Sequence, residues 1–551
     1  MTTILTERPK SFIAILCVLS LFGCYQGDSA DLIIHNAQIY SCDESFTVYE
    51  AMAIRDGKII QLGPEREILN GYKCDNIIDA QLRPVFPGFH DGHAHFWGYA
   101  KTIAQADLHG ATSFNECIER IKSFAETCET EWIEGRGWDQ TLWDSAAFPN
   151  NTKLNELFPD RPVLIRRVDG HAALANQAAL DLAGVTNETK IEGGWIEVKD
   201  GKLTGMLLDN AYDKVAEIIP EMDPAIKLSY LKRAEQDLFE SGLTSINDAG
   251  ITHQDRMLFE QWYANGDLTI KSYAMLFADD QNMEYARKNG IQKIGNLHIG
   301  SFKLLADGAL GSRGACLISP YSDLPDHFGF LLRDSAALYD IAAFASEIGY
   351  QVNTHCIGDS ANRVMLKIYA DLNAENPDHR WKIEHAQVLN ESDFAYFQDY
   401  HIIPSVQPTH CTSDMRWAEK RLGKHRIQHA YAYRTLLSKT GMIVLGTDFP
   451  VERIYPLETF YAAITRQDRE GHPEGGFYPH ESLTREEALR GMTIWPAFSN
   501  FEEAEKGTLE KGKAADFIIL TKNIMKIEPA EILNTFVEQT FVDGECVYNA
   551  N

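Results

Sequence analysis

The heptapeptide FHDGHAH (89–95) carries His93 and His95 two residues apart. On a β-strand that spacing turns both side chains to one face, and two neutral imidazoles on one face can share a divalent cation. An H-x-H pair alone is common on protein surfaces. Here it closes an apolar run and follows PGF and an aspartate, which favours ligation; His90 would point away from the face of the pair. Three later runs end in residues of the same chemical kind: His355 in VNTHCIGD, His385 in KIEHAQ and Asp448 in VLGTD. Each alone reads as structural, a capping aspartate or a hydrogen-bonded histidine. Four histidines and an aspartate at strand ends together describe convergence on one metal-binding mouth.

The elements that would position them are regular. Eight short apolar runs recur at 85–95, 242–250, 270–276, 298–307, 350–359, 381–387, 402–408 and 442–450, several of them separated by helical stretches such as 360–375 and 391–400. Eight strands alternating with helices predict an α/β fold, a (β/α)8 TIM-like barrel over 85–500 with its chemistry at the C-terminal strand ends. Asp248 ends the second of them, where it could orient a ligand or a loop. The stretch from about 97 to 240 is far longer than one crossover helix needs, so a large insertion with its own structure follows the first strand. It includes a strand pair around Lys199-Asp200-Gly201-Lys202. Alternating apolar residues around Asp56-Gly57 and Asp543-Gly544 signal hairpins at both ends of the chain. Residues 31–84 and 501–551 therefore form one small β-sandwich domain.

The 551 residues carry 51 Lys+Arg against 79 Asp+Glu, a net charge of −28. This balance argues against nucleic acid as a partner, because binding polyphosphate needs a basic face. Arg8 and Lys10 precede the apolar run 11–23, too short to span a bilayer but suited to a signal peptide over residues 1–23. That run ends in LFGC, which resembles a lipobox, so residues 24–30 are expected to be a tether lipidated at Cys24, the only membrane contact. The expected location is the bacterial periplasm or cell envelope. No C-x-x-C pair occurs, which argues against a thiolate zinc site. GALGSRG (308–314) matches neither nucleotide-binding glycine pattern; it leaves Arg313 available to a substrate carboxylate. No G-x-S-x-G occurs, which disfavours a serine hydrolase.

The ordered set PGFHDGHAH, WIEGRGWDQTLW (132–143), DGHAALAN (169–176), FKLLADGALGSRGA (302–315), THCIGDSAN (354–362), KIEHAQ, SVQPTH (405–410) and GTDFPV (446–451) resembles the amidohydrolase superfamily. The similarity is to its YtcJ-like branch, amidohydrolase family 3, which includes N-substituted formamide deformylases, and it spans residues 31–550. The resemblance implies that His93 and His95 bind the more buried metal and that His355 and His385 bind a second if two are present. Lys303 matches a position that many members carboxylate to bridge two metals; an unmodified ammonium held by a carboxylate is the other reading. Asp448 would bind metal and act as general base, and zinc is the expected ion. His171 would sit over the mouth and contact substrate.

Trp138 and Trp143 would line the pocket, although aromatics at these positions also suit a core. His410, just past the seventh strand, can donate to substrate or satisfy a loop backbone. The implied reaction is attack by metal-activated water on a non-peptide amide carbonyl of a small molecule, with Asp448 passing the proton to the leaving nitrogen. Two alternatives stay open, a hydrolase of C–O or P–O bonds and a binding lipoprotein without catalysis. The oligomeric state stays open between monomer and homodimer.

Overall fold

The computed structural model describes residues 28–550 apart from 129 and 221. The expected signal peptide over 1–23 and Cys24 lie outside the described residues. Eight strands stand where the apolar runs lie: β1 (Phe89–Ala94), β2 (Leu243–Ile251), β3 (Lys271–Phe277), β4 (Leu297–Leu305), β5 (Gln351–His355), β6 (Lys382–Glu384), β7 (Ile403–Val406) and β8 (Val444–Leu445). Each pairs with the next in parallel. Buried on both sides, they need continuous apolar sequence rather than alternation.

The seam between β8 and β1 is closed without a regular ladder. Asp448 N donates to His93 O at 2.7 Å and His95 N to Phe449 O at 2.9 Å. The Asp91 carboxylate accepts from Thr447 N at 3.0 Å and from its Oγ1 at 2.6 Å. Glycines let the two strands meet: a Cβ on Gly446 would lie 2.5 Å from His93 N, and one on Gly92 would lie 2.2 Å from Val444 Cγ1. The same seam thus fixes His93, His95 and Asp448 relative to one another.

Outer helices cover the strands. Leu231, Leu238 and Phe239 of helix Pro224–Glu240, Leu338 and Ala342 of Ser335–Ile348, and Met365 and Tyr369 of Asp359–Asn373 join the strands in one apolar core. Helix Ser335–Ile348 begins where the Asp334 side chain accepts from Ala337 N and ends at Gly349 in the left-handed region.

The insertion builds a separate six-stranded mixed sheet, in the order 106–107, 133–138, 163–167, 172–175, 202–209, 194–199. One face packs Ile121, Ile133, Trp138 and Leu174, the other Leu164, Leu180, Leu207 and Val215. The two chain ends meet in two further sheets whose facing residues, among them Ile34, Met52, Val85, Phe517 and Phe541, share a core. Asp56-Gly57, Asp200-Gly201 and Asp543-Gly544 all have positive φ at both positions, the geometry of a type I′ hairpin turn.

Candidate metal centre

The barrel brings His93, His95, Lys303, His355, His385 and Asp448 to one end. His95 follows the last residue of β1, and His355 is the last of β5. Ligand atoms of His93, His385 and Asp448 lie within 4.8 Å of one another. The His355 and His385 rings are 4.6 Å apart between centroids, and those of His93 and His385 are 4.9 Å apart. Lys303 Nζ stands 3.0 Å from His93 Nε2. His385 (φ 72°) and Asp448 (φ 60°) both adopt left-handed backbone, a strain that positions held for function often carry.

Hydrogen bonds set which nitrogen each ring presents. His93 Nδ1 donates to Glu384 Oε2 at 2.6 Å, and His95 Nδ1 donates to Ala249 O at 2.8 Å. His385 Nδ1 donates to Gln407 Oε1 at 2.8 Å. Each ring therefore turns an Nε2 lone pair inward, as outer partners do for metal-binding imidazoles. His95 Nε2 then faces Asp448 Oδ1 at 3.0 Å, acceptor against acceptor. His355 Nε2 is buried with no hydrogen-bond partner. A cation satisfies all of these atoms at once, so the residues fit a divalent metal.

The electrostatics agree. Burial, then the nearby Lys303 ammonium, pushes His93 down to about 4 against the pull of Glu384. Burial and neighbouring positive groups hold His355 and His385 well below the usual imidazole value. Burial also lowers Lys303, opposed by Glu384 and Asp448. Burial works against an ionised Asp448, but the hydrogen bond from His410 and the surrounding histidines outweigh it and hold the carboxyl well below its usual range. Neutral imidazoles and an ionised carboxylate are the protonation states that ligation requires.

Several functional residues escape sequence reasoning. Glu384, fully buried, sits beside the predicted ligand His385 yet serves His93. Asp209 Oδ1 accepts from His171 Nδ1 at 2.7 Å, and His171 lies against His355 with ring centroids 5.1 Å apart. The only forewarning was an acid placed near a predicted histidine or in the insertion's strands. Asp248 orients the chain after His95, its carboxylate accepting from Phe96 N at 2.9 Å.

Above the ligands lies a cavity of about 880 Å³, with a second lobe of about 430 Å³, both reached by His171, His355, His385 and Asp448. His410 lines the larger lobe, and its Nε2 lies 3.1 Å from Asp448 Oδ2 while its Nδ1 lies 3.2 Å from Glu452 Oε1.

Three expected substrate contacts are not at the cavity. Trp138 is completely buried in the insertion core, where its Nε1 donates to Ile165 O at 3.0 Å. Trp143 packs in the same core and donates to Ala111 O. The reason is local. A register shift between Arg136 and Trp138, with Gly137 at φ 105°, adds a residue to the strand. Trp138 thereby joins the face of Ile133, and Arg136 is left on the cavity side. Arg313 is turned to Asp323, Nη2 to Oδ2 at 3.0 Å and Nε to Oδ1 at 3.3 Å, and does not line the cavity.

Comparison with known proteins follows the same lines. The amidohydrolase family profile matches residues 76–548. The chain is 31% identical to Protein LONG AFTER FAR-RED 3 of Arabidopsis thaliana, over 95% of this chain and 92% of the relative. It is 29% identical to the YtcJ protein of Bacillus subtilis over 94% of this chain and 99% of the relative. It is 26% identical to N-substituted formamide deformylase of Arthrobacter pascens, over 94% and 98%. A crystal structure described as an uncharacterized metal-dependent hydrolase from Pyrococcus horikoshii superposes with a TM-score of 0.74 at 26% identity, covering 90% of this chain and 99% of that one. With a ligand constellation, a barrel and a matching profile over most of its length, the chain belongs to the amidohydrolase family, in its YtcJ-like branch.

Proposed function

We propose that the protein is a zinc-dependent hydrolase of a carbon–nitrogen bond other than a peptide bond, in a small amide or formamide. The observation that carries this is the inward convergence of imidazole lone pairs and one ionised carboxylate, with His355 Nε2 buried and without a hydrogen bond. The nitrogen-rich donor set favours zinc over magnesium or calcium. His93, His95, His355, His385 and Asp448 would hold the metal. Lys303 joins them as a carbamate if its amine, which burial inclines toward the neutral form, takes up carbon dioxide. A bound metal would supply Lewis acidity and the means to acidify water at the site.

The chain's own groups do the rest. Asp448 accepts the proton of the attacking water and delivers it to the leaving nitrogen. His410 fixes the Asp448 carboxylate through Oδ2. Asp209 raises the proton affinity of His171 against the effect of burial, so the imidazole can donate to the oxygen on which charge develops. The formamide bond is suggested by the name of the Arthrobacter relative. Export with a lipid anchor at Cys24 completes the proposal, and Cys24→Ser should then release the protein from membranes.

Elemental mass spectrometry of protein purified without chelator tests the metal. One or two zinc ions per chain are expected, and two would accompany a carboxylated Lys303. No metal after reconstitution with zinc and bicarbonate would overturn the reading in favour of a binding protein. A panel of N-substituted formamides and amides, against esters and phosphate esters, tests the bond.

A further inference from the structure

Three arginines of the insertion, Arg136, Arg166 and Arg167, meet very different partners. Arg167 is neutralised, Nη1 by Asp169 and Nη2 by Asp139, each at 2.6 Å. Arg136 and Arg166 have no such partner: among the described residues, neither has a carboxylate within 4.0 Å. Arg136 is only 7% exposed. Its Nη2 donates to Val168 O at 3.2 Å, while its Nε is buried with no acceptor. Arg166 donates Nε to Gly170 O at 2.8 Å, and its guanidinium carbon lies 4.5 Å from the Tyr212 ring centroid. The two groups flank Gly170, where a Cβ would lie 3.6 Å from Arg136 Nη1 and 3.5 Å from Arg166 Nη2. Both line the lobe that holds His93, Lys303 and Asp448, and Arg136 lines the larger lobe as well.

Buried charges are ordinarily paired. Two guanidinium groups side by side, one of them buried with an unused donor, repel each other until an anion bridges them. Burial, with Arg166 adding to it, lowers Arg136 to about 10, which leaves it cationic at neutral pH. Asp213, the acid nearest in character to a partner, is pushed up by burial and only partly drawn back by Arg166. The whole chain is strongly anionic, at −28, so this local cationic pair runs against the surrounding field.

We propose that Arg136 and Arg166 form a carboxylate subsite beside the metal centre, so that the amide cleaved carries a carboxylate on its substituent. A planar monoanion matches the guanidinium fork. A phosphate dianion suits the lobe less, because Asp169, Asp209 and Asp213 also line it. The inference rests on the hydrolase reading for the reaction but not for the binding.

The test uses two compounds of one shape, N-acetyl-β-alanine and N-isopentylacetamide, which differ in having a carboxylate or two methyl groups. Calorimetry on full-length D448N, which should consume neither, measures affinity, and turnover is followed separately on the parent protein. The acid should bind at least about tenfold more tightly than its neutral partner. R136Q and R166Q should each erase most of that preference, and R136K should restore part of it. Equal affinities, or binding of neither at millimolar concentration, would overturn the subsite. If R136Q does not fold, the compound pair on the unaltered insertion still decides. Preferential binding without cleavage of either compound would uphold the subsite and sink the hydrolase reading. Equal cleavage with equal affinity would do the reverse.

Discussion

The barrel mouth and the insertion that roofs it solve opposite electrostatic problems with the same kinds of residue. At the mouth, burial drives His93, His355 and His385 toward neutrality, and the site gathers lone pairs. In the insertion the side chains stay charged: Arg167 between two aspartates, His171 on Asp209, Arg136 and Arg166 unpaired. Neutral donors hold a cation, while fixed charges recognise substrates and steer developing charge. On the proposed reading the difference divides the labour, with reaction assigned to the strands and selectivity to the insertion. It also explains how one barrel can serve many substrates, since the roof can change while the seam between β8 and β1 stays fixed.

The largest effect expected from this division is at Asp448. Asp448→Asn keeps the shape but removes the proton acceptor and an anionic ligand. The rate constant for turnover should fall by about 10²–10⁴, by a similar factor for every amide tested. A loss confined to some substrates would mean that the mouth also selects, and the division would fail.

Trp138 probes the other region. Trp138→Ala leaves a cavity in the insertion core and should cost about 3–5 kcal/mol of stability, read as a lower melting temperature. Metal content should not change. Loss of metal in the folded variant would show that the insertion core and the mouth are one unit. At Glu384 the expected effect is smaller and falls on the mouth alone. Glu384→Gln removes the charge that orients His93 through a 2.6 Å hydrogen bond, and affinity for the divalent metal should drop about 10- to 100-fold. Chelator competition measures it, and an unchanged dissociation constant would remove Glu384 from the site.

The two regions were also unequally legible. The barrel strands announced themselves because each is an apolar run closed by a polar residue, and this holds even for β8, whose ladder is two residues long. Their end residues follow from topology, since parallel strands deliver C-terminal residues to one mouth. The insertion gave no such rule. Strict alternation would place Arg136 and Trp138 on one face; the extra residue at Gly137 separates them, and a φ of 105° is not written in the letter G. Arg313 misled for a related reason, because Asp323, ten residues on, claims its guanidinium through a loop fold that no local pattern encodes. Glu384 was hidden by the backbone turn at His385, whose left-handed φ breaks the pleat that would have predicted where its neighbour points.

The smallest effect tests whether the insertion's charges are truly ionised when buried. Asp169 accepts from Arg167 Nη1 at 2.6 Å and from His171 N at 3.0 Å. Burial opposes its charge, yet Arg167 and His171 prevail and lower it from the ordinary 3.8. A depressed folded pKa contributes stability that is complete above the unfolded value and is lost as pH falls through the folded one. Asp169→Asn should therefore cost about 1–2 kcal/mol, limited because Asp139 still pairs Arg167. The gap in melting temperature between the parent and this variant should be constant from about pH 5 to 8 and close below about pH 4. A gap that persists unchanged into strong acid would mean that Asp169 acts by shape rather than by charge. The insertion would then resemble the imidazoles of the mouth in keeping a buried titratable group uncharged, and the contrast between the two regions would narrow to the arginines alone.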